Sequence, residues 1–141
     1  MKKLIIILFT ISIFASCSKD NDKTCTLSVT AVAGSYKITA VRYKATPASS
    51  EVDYYNLFFT DVCERDDIIS LNAAGTYTFT DAGVKCVPPG DDSGLWSLSG
   101  NTVTVDGEAS NVDSFSCSTL TVSSADVYSL GDKLILVLTR Q

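Results

Sequence analysis

The stretch Gly94-Leu-Trp-Ser-Leu-Ser-Gly-Asn-Thr-Val-Thr-Val-Asp-Gly107 alternates apolar and polar residues on both sides of Gly100-Asn101. Trp96 and Leu98 lie opposite in phase to Ser97 and Ser99, and Val103 and Val105 to Thr102 and Thr104. Period-two alternation around a Gly-Asn pair predicts an antiparallel hairpin with one buried face. The same pattern recurs along the chain. From Gly34 to Lys44, Tyr36, Ile38 and Ala40 alternate with Lys37, Thr39 and Arg42, which predicts the first strand. Residues 68–72 and 76–81 flank Ala73-Ala74-Gly75 as a further hairpin, with Tyr77 and Phe79 facing the core. Beyond Gly107, residues 108–111 read as a turn. Strands are predicted over 112–118, 120–123, 127–130 and 134–139, with Gly131-Asp132 as a tight turn between the last two.

Other segments break the alternation. Residues 24–33 predict a short helix carrying Leu27, Ala31 and Val32 on one face and closed by Gly34. The last strand is apolar on both faces, with Leu134, Leu136 and Leu138 against Ile135 and Val137, so it should be covered twice. The amino-terminal helix is the expected outer cover. Residues 45–51 and 82–93, with Pro47 and Pro88-Pro89, read as loops. The aromatic-rich segment 53–62 does not alternate and suits a short helix or an irregular cover over an open end. Eight to ten short strands joined by short turns predict an all-β fold. An up-and-down antiparallel β-barrel is favoured because closure leaves no edge to aggregate, and a β-sandwich is the alternative.

The start of the chain carries an address. Lys2-Lys3, the apolar run 4–14 and Ala15-Ser16 form the three parts of an export signal, too short to span a bilayer. Cys17 directly after Ala-Ser resembles the bacterial lipobox, in which the cysteine is diacylated and becomes the first mature residue. Phe14 stands where leucine is usual. Lys19-Asp20 is similar to surface-export signals of Gram-negative lipoproteins, with Asn21 interrupting the usual acidic pair. The expected division is therefore a signal peptide at 1–16, a flexible tether at 17–26 and a β-barrel domain at 27–141. The expected location is the outer membrane, exposed at the cell surface, with a periplasm-facing position as the alternative.

Charge and cysteines narrow the function. The net charge is −5, and −7 once Lys2 and Lys3 are removed. No basic cluster remains, which argues against nucleic acid as a partner. With Cys17 acylated, Cys25, Cys63, Cys86 and Cys117 form an even set in an oxidising compartment, open to three pairings. Cys63 with Cys86 is favoured because the hairpin between them returns the chain beside itself, leaving Cys25 with Cys117. The chain has no histidine. That removes Ser-His-Asp and Cys-His nucleophile pairs and the commonest metal ligand. Asp66-Asp67 and Asp91-Asp92 read as solvated loop charge, since adjacent residues on a strand face opposite ways. No catalytic residue, metal or cofactor is expected, and the protein is not expected to be an enzyme.

Four places together carry a family resemblance: Gly34-Ser-Tyr-Lys-Ile-Thr; Cys63-Glu-Arg-Asp-Asp-Ile-Ile-Ser-Leu-Asn with Gly75-Thr-Tyr-Thr-Phe; the hairpin 94–105; and Leu136-Val-Leu-Thr-Arg140. The chain resembles the lipocalin-like domains of bacterial surface lipoproteins, with Tyr36 where the family has tryptophan. The resemblance implies a barrel and, in the family's well-studied relatives, a small apolar ligand inside it. Tyr36, Tyr55, Phe58, Tyr77, Phe79 and Trp96 are the candidate ligand contacts. The large inward residues equally predict a largely filled interior. The protein would then act as an interaction or inhibitor module toward an envelope protein, through 53–62 and 82–93.

Overall fold

The computed structural model describes residues 25–141. The expected signal peptide, Cys17 and residues 18–24 of the tether lie outside them. The described chain forms strands β1 (Gly34–Lys44), β2 (Val52–Asp53), β3 (Ile68–Leu71), β4 (Thr76–Thr80), β5 (Asp92–Ser99), β6 (Thr102–Val105), β7 (Glu108–Phe115), β8 (Thr119–Ala125) and β9 (Lys133–Arg140). From β3 to β9 each strand pairs antiparallel with the next, β3 pairs with β1, and β9 returns to β1. The ring closes as an up-and-down barrel, with β2 added beside the tail of β1. A sandwich would leave its two sheets unjoined; the pairing of β1 with β9 from Tyr36 to Lys44 joins them.

A bulge breaks the alternation of β1. The register shifts between Ile38 and Ala40, so Val41 rather than Ala40 stands opposite Leu136. An extra residue in one strand reverses which side chains face in. Val41 is fully buried, while Ala40 lies with Thr39 and Arg42 along an outer groove. The expected inward place of Ala40 is corrected accordingly.

Two further expectations change. Residues 108–111 are the first half of β7 rather than a turn, paired with β6 from Thr102↔Asn111 to Val105↔Glu108. Their small polar side chains hid the strand; the Ser110 and Ser124 hydroxyls bond to each other at 2.8 Å. Residues 127–130 are a loop rather than a strand. Their apolar side chains are exposed, Leu130 by 93%, because the loop is wound around the Asp132 carboxylate. That carboxylate accepts from the amides of Val127, Tyr128 and Ser129 and from the Tyr43 hydroxyl.

The predicted helix is a single turn, α1 (Val29–Val32), with Ser28 accepting from the Ala31 amide at its start. It does not lie over the outer side of β9. Val32 is fully buried in the main core with Tyr36, Trp96 and Leu120, so α1 plugs one end of the barrel. Arg140, at the end of β9, fixes it there. Its guanidinium donates to the carbonyls of Ala31 (2.6 Å) and Ala33 (3.1 Å) and to the Tyr36 hydroxyl (2.7 Å), and lies over the Tyr36 ring. Tyr36 in turn donates to the Val32 carbonyl at 2.7 Å. Trp96 Nε1 bonds the Asn72 carbonyl at 2.7 Å. Cys25 is bridged to Cys117 at the same end. This end is the closed floor.

Candidate functional site: the barrel cavity

Above the floor the interior is not filled. Tyr36 and Trp96 are buried in the core at the end that α1 plugs. What remains is an open cavity of about 420 Å³. Its apolar wall includes Ile38, Ile69, Phe79, Val103, Val122 and Leu136. Its polar members, Asp92, Glu108 and Ser110, come from the starts of β5 and β7. Small-molecule sites are typically about 300–1,000 Å³, mostly apolar, with a few placed polar groups.

Beyond Tyr36↔Ile69, β1 and β3 part, and the wall between them is completed by the segment after β2. Helix α2 (Tyr55–Phe58) and Phe59 perform this closure. Phe59 is buried with Val41 and Leu134, against Ile38, Tyr54, Tyr55 and Leu136. Arg65, in a short 3-10 turn (Val62–Arg65), holds the segment by donating twice to the Phe59 carbonyl. The expectation of a helix or irregular cover is met by this arrangement. Leu57 and Val62, on the same segment, are 68% and 69% exposed.

A corner beside the mouth is knit by carboxylates. Cys63 is bridged to Cys86, with Cα atoms 5.2 Å apart. Asp66 accepts from the Val84 amide and Asp67 from the Ala82 amide. Asp81, fully buried, accepts from the Cys86 amide, and Asp91 accepts from the Asp81 amide. The reading of Asp66 and Asp67 as solvated loop charge is corrected: they satisfy the donors of a turn that has no ladder of its own, whereas Asp91 and Asp92 are exposed as that reading expects. Burial raises the Asp67 carboxyl above its usual range, against the Ala82 amide and with help from the charges of Asp81, Asp66 and Glu64.

At the opposite lip, the turn after β6 places Asp106 over Gly94. Its carboxylate accepts from the Leu95 amide (2.9 Å) and the Tyr77 hydroxyl (2.6 Å). A Cβ at Gly94 would collide with that carboxylate, so only glycine lets it lie across β5. The bond to Asp106, then burial, pushes the Tyr77 hydroxyl up to about 12. The same bond, with the Leu95 amide, holds Asp106 below the usual carboxylate range.

The chain matches the family model of the lipocalin-like domain over residues 32–124, from the last residue of α1 to near the end of β8. It belongs to the lipocalin-like domain family. No curated protein and no solved structure matches it. The lipocalin-like match stops before β9, the strand that closes the ring onto β1.

The six residues singled out in the sequence fall in different places in this lipocalin-like domain. Tyr77 and Phe79 line the cavity. Tyr36 and Trp96 form the floor beneath it. Tyr55 packs on Phe59 and also lines the outer groove, and Phe58, half exposed, stands edge-on to Phe59. The cysteine pairs are those expected, Cys63–Cys86 and Cys25–Cys117. Sequence reasoning missed Asp92, Glu108, Ser110 and Asp106. The available signal was the acidic residue just beside each turn at the mouth.

Proposed function

We propose that the protein binds a small hydrophobic or amphipathic molecule within the barrel. The observation that carries this reading is the open, apolar-walled cavity of about 420 Å³. Binding rather than catalysis fits the residues available: no histidine, Cys25, Cys63, Cys86 and Cys117 all in disulfides, and the corner carboxylates engaged by backbone amides. The proposal includes a lipid anchor at Cys17 that holds the domain on the outer membrane, facing the cell exterior. Its support is the export signal and lipobox-like sequence. Cys17 lies eight positions before Cys25, and extended chain spans about 3.3–3.6 Å per residue, so the anchor reaches at most about 28 Å. It would attach at the floor, leaving the mouth turned from the bilayer and open to ligand from the aqueous side.

Native mass spectrometry of the protein extracted gently from its own membranes tests both parts. A diacyl mass at Cys17 and a further small-molecule mass are expected. A bare polypeptide that also fails to take up an apolar fluorescent probe would overturn the binding reading. A second reading, a protein-interaction module, is favoured by Leu57, Val62 and Val87 near the mouth, the last 97% exposed. It predicts a co-purifying protein that is lost when these three residues are made polar.

A further inference from the structure

Every ionisable group that lines the cavity is an acid or a phenol. Asp92 and Glu108 stand at its mouth, and the Asp106 carboxylate lies just behind Tyr77. Among the described residues, no lysine or arginine lines the cavity. The donors that could meet an anion are already engaged. The Tyr77 hydroxyl gives its proton to Asp106, with Asp92 a second acceptor at 3.4 Å. The Ser110 hydroxyl is bonded to that of Ser124. Arg65 and Lys85 are also occupied, on the Phe59 and Asp81 carbonyls. Among the described residues, no side chain bonds the Glu108 carboxylate, which is exposed at the lip.

From this we infer that the cavity selects an apolar molecule with a cationic head, an aliphatic or aromatic amine, over one with a carboxylate head. The inference rests on the binding reading above and specifies its ligand class. The apolar wall takes the body by removing hydrocarbon from water. The head then meets Asp92 and Glu108 at the mouth. There the low-dielectric wall strengthens their field, and a like charge is excluded. A neutral alcohol would sit between the two, with its hydroxyl donating to either carboxylate.

The test is calorimetric titration of the protein with decylamine, decanol and decanoate, each below its micelle-forming concentration, at neutral pH and low salt. The order amine, alcohol, carboxylate is expected, with roughly tenfold or more between the first and last. The ratio of amine to carboxylate affinity should fall toward one in Glu108→Gln and further in the Asp92→Asn/Glu108→Gln double variant. It should also shrink as salt is added. Decanol, measured in each variant, shows whether the barrel is still folded and open. Decanoate binding as tightly as decylamine in the wild type, with decanol also bound, overturns the head-group inference and leaves the binding reading standing. Failure of all three to bind overturns the binding reading and the inference with it.

Discussion

At the floor of the barrel one guanidinium, that of Arg140, collects the carbonyls of Ala31 and Ala33 and the hydroxyl of Tyr36. At the mouth the chemistry is reversed: Asp66, Asp67, Asp81, Asp91 and Asp132 each collect backbone amides. Both arrangements satisfy backbone groups that the sheet leaves unpaired. They differ in what surrounds them. The floor is packed against Val32, Trp96 and Leu120, and its half-buried cation is held by carbonyl and hydroxyl dipoles. The mouth is built of loops beside open space, so its carboxylates leave a negative rim around the entrance. One end of the same ring is thus suited to stability and the other to selection.

Removing the disulfides tests this contrast most strongly. Cys25→Ser/Cys117→Ser releases a span of 92 residues and should lower stability by about 4.5 kcal/mol in a denaturant titration. Cys63→Ser/Cys86→Ser, with a span of 23, should cost about 3.4 kcal/mol and mainly raise amide exchange in 59–67 and 81–91. Equal exchange at both ends after either change would erase the distinction. Next in size is Arg140→Ala. It strips three charged hydrogen bonds from the floor and should cost about 3 kcal/mol by the same measurement.

Gly94→Ala acts at the lip. The new methyl displaces the Asp106 carboxylate, at a cost of about 2 kcal/mol. Tyr77 should then titrate below about 12 in an ultraviolet pH titration, with burial and Asp92 still holding it above its ordinary value. In the wild type the folded Tyr77 holds its proton to higher pH than the unfolded one. Its contribution is therefore complete below about 10 and is lost as pH rises toward about 12. A Tyr77 transition unchanged by the substitution would remove Asp106 as the cause.

The smallest effect is one of sign. Burial raises the Asp67 carboxyl, so the folded state binds its proton more readily than the unfolded state, and the ionised group weighs against folding at neutral pH. Asp67→Asn keeps an acceptor for the Ala82 amide and should leave stability equal or slightly higher at pH 7. The difference should vanish in acid, where the wild-type group is protonated. A clear loss of stability at pH 7 would show that charge, and not the acceptor alone, holds the corner.

Much of the wall was legible because its residues obey the pleat. The hairpin of β5 and β6 and the pair β3 and β4 both follow from alternation. Legibility failed where one side chain overrode the pattern. Asp132 turned the apolar run 127–130 into a loop, and the bulge at Ile38/Ala40 exchanged Ala40 for Val41. The first half of β7 was hidden by its small polar residues, Ser110 and Asn111 among them. For the cavity, Tyr77 and Phe79 could be read because they alternate within one strand. Asp92, Glu108 and Asp106 were missed because they come from separate turns and strand starts that only the folded sheet brings to one end.

The two disulfides also determine what becomes of a cut chain. A nick anywhere between Cys25 and Cys117 leaves both fragments in one covalent molecule, since each carries one half of that bridge. Beyond Cys117 there is no such security: a nick before β9 would free the strand that seals the ring. The loop at risk is 126–132, whose Val127, Tyr128 and Ser129 amides are folded back onto Asp132 and so are withdrawn from the extended shape a protease needs.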